Sequence, residues 1–153
     1  MTSLINFSWT MERGMAERYT VYVPRETAAV SLGAHEVAER IAGLGNVDVV
    51  RNGSWGASWL EPLVEVVVGE QRIAYGPVTL DDVDTLVDAN FLEGGAHPLR
   101  LGPIDEIPYL ANQERWTFFR CGLGDPLSMT DYTARKGFAG LQKAFEIGPQ
   151  LSL

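Results

Sequence analysis

Ser54 and Ser58 are the first residues to weigh for chemistry. They sit in the loop Asn52-Gly53-Ser54-Trp55-Gly56-Ala57-Ser58-Trp59-Leu60-Glu61-Pro62. A serine hydroxyl attacks only when a base and its orienting acid are in reach, and a common sequence sign of that is a Gly-x-Ser-x-Gly elbow. The flanks here do not form one, so both serines read as turn residues that hydrogen-bond local backbone. His35 and His97, the only 2 histidines, lack the nearby ligands that a zinc site requires. Cys121 follows Arg120, a neighbour that favours thiolate. The alternative is a small buried cysteine. Gly122-Leu123-Gly124 is not set between a strand and a helix as a dinucleotide fingerprint would be. Asp81, Asp82, Asp84 and Asp88 have no calcium-loop spacing and read as a solvated helix face. Sequence therefore nominates no catalytic and no metal-ligating residue. Trp55 and Trp59 stay open to two readings: filling a space inside the loop, or contacting a partner, where tryptophan is enriched.

Composition narrows the classes. The chain has 153 residues, 46% hydrophobic and 21% charged, with net charge −8. The acidic balance argues against sequence-independent nucleic-acid binding and against a polybasic membrane anchor. The single cysteine excludes an intrachain disulfide framework and a cysteine-built cluster or zinc site. It also fits a reducing compartment. No apolar run reaches membrane-spanning length. Residues 1–17 read as a disordered extension without signal-peptide character, with Met11 and Met15 as alternative starts.

The elements that must position the loop follow from local patterning. Arg18-Tyr19-Thr20-Val21-Tyr22-Val23 predicts a strand closed by Pro24. Ser31 opens a helix whose apolar stripe is Ala34, Val37, Ala38 and Ile41, ended by Gly43 and Gly45. Val47 to Arg51 predicts a second strand. Leu63 to Val68 and Gln71 to Tyr75 predict a hairpin turned at Gly69-Glu70. Thr79 and Asp82 make a capping box for a second helix that buries Val83, Leu86 and Val87. Residues 94–103, rich in Gly and Pro, predict a connector and domain boundary. Beyond it, Ile107 to Leu110 suggests a short helix, and Arg115 to Arg120 alternates like a strand or extended arm. Ser128 and Asp131 suggest another capping box, and Phe138, Leu141 and Phe145 one apolar helical face.

The strand–helix–strand–hairpin–helix order resembles the thioredoxin-like [2Fe–2S] ferredoxin domain of NADH dehydrogenases and NAD-linked hydrogenases. The resemblance implies an α/β fold, a small mixed sheet with flanking helices, over residues 18–93. An extended and helical C-terminal segment follows. Gly33, Ala34, Gly56 and Pro62 match that family's motif. Its four cluster-ligand positions fall on Pro24, Ala29, Ser54 and Ser58, which the resemblance marks as vacated. Asp125-Pro126-Leu127-Ser128-Met129-Thr130-Asp131-Tyr132, with Gly137-Phe138-Ala139-Gly140-Leu141 and Lys143-Ala144-Phe145, is similar to the lead-in of the flavin-binding subunit of respiratory complex I. Residues 104–153 would then be this lead-in, cut before the FMN loop.

Three further runs, 59–66, 74–79 and 94–103, resemble the β (flavin, NADH-dehydrogenase-like) subunit of cytoplasmic NAD-dependent molybdenum or tungsten formate dehydrogenase. What this implies is a non-catalytic scaffold and subunit-interaction module, itself without cofactor. FMN, iron–sulfur clusters, NAD and the Mo/W cofactor would belong to the complex. The expected partners are the large formate-oxidising subunit and the small [2Fe–2S] subunit, with neither nucleic acid nor membrane. The alternative is a stand-alone thioredoxin-like binding protein that uses the Trp55/Trp59 loop.

Overall fold

The computed structural model describes residues 18–148. The expected extension 1–17 and the last residues, 149–153, lie outside the described part. The chain forms β1 (Tyr19–Tyr22), α1 (Thr27–Ser31), α2 (Ala34–Ala42), β2 (Val47–Val50), β3 (Val64–Val68), β4 (Gln71–Tyr75), α3 (Val83–Asp88), β5 (Arg100–Pro103), α4 (Pro108–Ala111), α5 (Met129–Ala134) and α6 (Ala139–Ile147). The α/β class expected from the sequence is the one observed: a five-stranded mixed sheet, order β2-β1-β3-β4-β5, with flanking helices.

β1 and β2 are parallel, with Tyr19 opposite Val47. A parallel pair needs a crossover, and the two short helices supply it. β3 is antiparallel to β1 and β4, and β4 to β5. Strand alternation decides what each face buries. Val21, Val64, Val66, Ile73 and Tyr75 face α2 and α3, where Val37, Ile41, Leu86 and Phe91 complete the main core. Ala74 faces the other way, into a smaller cluster with Leu63, Ile104, Ile107 and Leu110, against which Trp55 and Leu60 pack.

Four expectations are corrected. Val87, expected on the buried side of the second helix, is exposed, and only Val83 and Leu86 of that helix are buried. The helix expected from Ser31 is two helices broken at Gly33, whose φ of +98° suits glycine. The first of them is capped by Glu26, which accepts the N–H groups of Ala28 at 2.8 Å and Ala29 at 2.7 Å. Within the expected connector 94–103, Arg100–Pro103 is strand β5 and adds to the sheet, so the sheet runs past residue 93. Proline is tolerated there because β5 is an edge. Finally, the expected strand or arm Arg115 to Arg120 is not a strand and runs into a bend and turns from residue 116.

The Thr79–Asp82 cap is present: the N–H of Thr79 donates to the Asp82 carboxylate at 2.8 Å, and so does its hydroxyl. These donors hold the Asp82 pKa below its ordinary value. Asp82→Ala is expected to cost about 1 kcal/mol, the usual worth of a cap. Because the folded pKa is depressed, that difference is present above the unfolded carboxylate pKa of about 3.9. It disappears as pH falls through the folded value. Urea titrations of both proteins at neutral pH and in acid check both points.

Candidate functional site

The four positions that the resemblance marks as vacated fall on the first turn-and-helix and on the Trp55 loop. Pro24, just after β1, is buried, and Ala29 is fully buried on α1. Ser58 is exposed at the start of a 3₁₀ turn. Ser54 donates its hydroxyl to Glu61 Oε1 at 2.9 Å and accepts the N–H of Gly56 at 2.9 Å. Glu61, itself buried, also accepts the N–H of Leu63 at 2.9 Å. Burial pushes the Glu61 carboxyl up despite these donors. Pro24 and Ala29 have no donor atom, and the Ser54 hydroxyl is spent on shaping the loop. These side chains do not fit a [2Fe–2S] cluster, which is held by thiolates.

Among the described residues no triad assembles around either histidine. His35 Nδ1 lies 2.9 Å from Arg51 Nη1, and His97 Nε2 lies 3.1 Å from the Thr85 hydroxyl. Among the described residues, no group of three or more His, Cys, Asp or Glu side chains is placed to hold a metal ion. Cys121 is exposed.

What the loop does hold is a buried polar centre that sequence reasoning missed. Glu65 on β3 points to the face opposite its neighbours Val64 and Val66, and its side chain is fully buried. Its Oε1 accepts Trp55 Nε1–H at 2.7 Å and Asn52 Nδ2–H at 3.0 Å. Its Oε2 lies 3.4 Å from Arg72 Nη1. Burial pushes the Glu65 carboxyl up, opposed by Trp55, Arg72 and Asn52. The available signal was a lone glutamate inside a valine-rich strand, with an arginine across the hairpin.

This centre also grips the chain after residue 120. Arg72 donates to the carbonyls of Gly122 at 3.1 Å and Leu123 at 2.6 Å, and its guanidinium lies 3.5 Å from the centre of the Tyr22 ring. Asn52 Nδ2 donates to the Gly122 carbonyl at 3.0 Å, and the N–H of Gly53 donates to the Gly124 carbonyl at 3.3 Å. Arg135 adds a bond to the Leu123 carbonyl at 2.8 Å. Three consecutive carbonyls are thus tied to the Trp55 loop, the sheet and α5.

Gly122 makes the fit possible. Its φ is +81°, and a Cβ there would stand 2.2 Å from Cδ2 of the Trp55 indole. Gly122→Ala is expected to cost about 2–4 kcal/mol, combining left-handed strain with overpacking. The same change should alter the fluorescence of the Trp55 ring. Chemical denaturation followed by tryptophan emission checks it.

The two loop tryptophans have different surroundings. Trp55 is half-buried, hydrogen-bonded to Glu65, and has the Arg115 guanidinium 4.9 Å from its ring centre. Trp59 is 57% exposed and meets Tyr109 edge-on, centroids 4.6 Å apart. Downstream, Trp116, Phe118, Leu127, Met129, Leu141 and Phe145 are all exposed, Phe145 to 78%. The α6 helix buries none of its residues.

No protein-family model matches the chain, and no curated protein matches it. Among solved structures, the chain is similar to a thioredoxin-like [2Fe-2S] ferredoxin from Aquifex aeolicus. The wild-type ferredoxin is 21% identical with a TM-score of 0.46, covering 57% of this chain and 99% of that one. A second structure of this ferredoxin is 23% identical with a TM-score of 0.46, covering 57% and 94%. A cysteine-to-serine variant is 21% identical with a TM-score of 0.46, covering 55% and 98%.

Proposed function

We propose that this chain is a non-catalytic subunit-interaction module, part of the β subunit of a cytoplasmic NAD-dependent formate dehydrogenase. The observation that carries the interaction reading is the open apolar surface of residues 116–147, with Trp116 80% exposed and α6 unpacked. Large apolar side chains exposed in this number are what a protein interface covers. The donor-poor positions Pro24, Ala29, Ser54 and Ser58 support a role without a cluster of its own. The assignment to formate dehydrogenase rests on the sequence runs 59–66, 74–79 and 94–103 and on the flavin-subunit lead-in. Among the described residues no helix is long and apolar enough to cross a membrane. On this reading FMN, the iron–sulfur clusters, NAD and the Mo/W cofactor sit elsewhere in the complex. The partners are the large formate-oxidising subunit and the small [2Fe–2S] subunit.

Co-expression tests it. The tagged chain is expected to retain the large formate-oxidising subunit on affinity capture, and Leu141→Asp with Phe145→Asp should abolish retention. The purified chain alone should carry less than one tenth of an iron per molecule and no visible chromophore. Failure to retain either subunit while the chain stays a folded monomer would sink the assignment. A second reading, a stand-alone binding protein, is favoured by one specific feature, the exposed Trp59–Tyr109 pair. It would be supported if Trp59→Ala, rather than the α6 changes, removed partner binding.

A further inference from the structure

A cavity of about 260 Å³ opens between the Trp55 loop, the turns after residue 119 and α5. Gly53, Arg120, Asp125, Asp131, Tyr132 and Arg135 line it. Its charges are paired with one exception. Asp125 takes Arg25 at 3.2 Å and the N–H of Leu127 at 2.9 Å. The Asp131 carboxylate accepts the N–H of Asp125 at 2.9 Å and lies 3.7 Å from Arg135. Arg135 is further occupied by the Leu123 carbonyl.

Arg120 is left over. It is half-buried, with its guanidinium 4.9 Å from the centre of the Phe119 ring and 5.0 Å from that of Tyr132. Its side chain makes no hydrogen bond or ion pair among the described residues, only these ring contacts. A guanidinium stays charged at any ordinary pH and carries five N–H donors in one plane. Aromatic faces attract the charge but leave N–H donors without an acceptor. None of the Arg120 side-chain nitrogens is shut off from solvent, so they are open to an incoming ligand, and planar bidentate oxyanions match the guanidinium fork best.

We propose that this cavity binds the oxyanion group of a small ligand, a carboxylate or a phosphate, on Arg120. Tyr132 and Pro126 form the apolar wall beside it. The inference is independent of the subunit assignment, since it rests on the charge balance of one cavity.

The test is an NMR titration of the isotopically labelled 153-residue chain with sodium acetate and sodium phosphate. Sodium chloride at matched ionic strength serves as control. One of the oxyanions is expected to shift the amide signals of Gly122 and Gly124 saturably, while chloride does not. Arg120→Gln should weaken that binding at least tenfold and Arg120→Lys by less. Arg100→Gln, at an exposed arginine of β5 that does not line the cavity, should leave it unchanged. Saturation by acetate alone assigns a carboxylate ligand, and by phosphate alone a phosphate ester. No saturation by either anion, or full binding by a folded Arg120→Gln protein, overturns the proposal. Should Arg120→Gln fail to fold, the wild-type titration against chloride and the Arg120→Lys comparison decide it.

Discussion

Glu65→Leu is expected to lower the unfolding free energy by about 3–5 kcal/mol, the cost of removing one partner from a buried ion pair. Three donors converge on this carboxylate, from Trp55, Asn52 and Arg72. Leucine satisfies none of them. Glu65→Gln should cost less, because its amide oxygen still accepts from Trp55 and Asn52. Replacing both Glu65 and Arg72 by apolar residues should recover much of the stability, since no charge is left unpaired. It should not recover the grip on the C-terminal segment, because Arg72 holds the Gly122 and Leu123 carbonyls. Urea denaturation reads the first effect. Limited proteolysis between residues 116 and 127 reads the second, and equal protection in the double variant and the wild type would contradict this account.

The same residue sets a pH slope. Burial raises the folded pKa of Glu65, and Glu61 shifts the same way. The folded protein therefore keeps protons that the unfolded chain loses above the usual glutamate pKa of about 4.3. Stability from these groups is full below that value and falls as pH rises through their raised folded pKa values. Glu65→Gln should flatten the slope of urea midpoint against pH on the neutral side of that value. The Asp82 effect lies at lower pH and has the opposite sign.

Phe91→Ala carries the other large expected effect, about 3–5 kcal/mol, as for other large-to-small changes of a buried aromatic. Phe91 is fully buried in the main core and meets Tyr75 edge-on at 6.1 Å. Tyr75 cannot swing in to fill the space, because its hydroxyl is held by the Gly95 carbonyl at 2.7 Å. The vacated volume would then remain as a cavity, which is what makes such changes costly. Total stabilities of small domains run about 5–15 kcal/mol, so this single change approaches unfolding. The urea midpoint should drop with little change in its slope, as for a loss of stability without a change in exposed area. A loss under about 1 kcal/mol would mean that the site collapses around the smaller side chain.

The sequence alone settled what local sterics and periodicity control. The stripe Ala34, Val37, Ala38 and Ile41 is buried throughout, the hairpin turns at Gly69-Glu70, and Thr79 is bridged to Asp82. Each depends on residues a few positions apart, and short-range spacing records such relations. Ser54 likewise bonds the N–H of Gly56, two residues on, as a turn serine does. β5 was not legible, because Gly102 and Pro103 carry no strand preference. They become a strand by pairing with β4, a relation that no local pattern contains. Only the tertiary structure could show the polar centre. Glu65 reads as one charge in an apolar strand until Asn52 and Trp55 from the loop, Arg72 from the next strand and the carbonyls of Gly122 and Leu123 meet around it. Burial decides whether such a glutamate is a solvated ornament or a costly, many-partnered lock, and burial is a property of segments that the chain brings together only by folding.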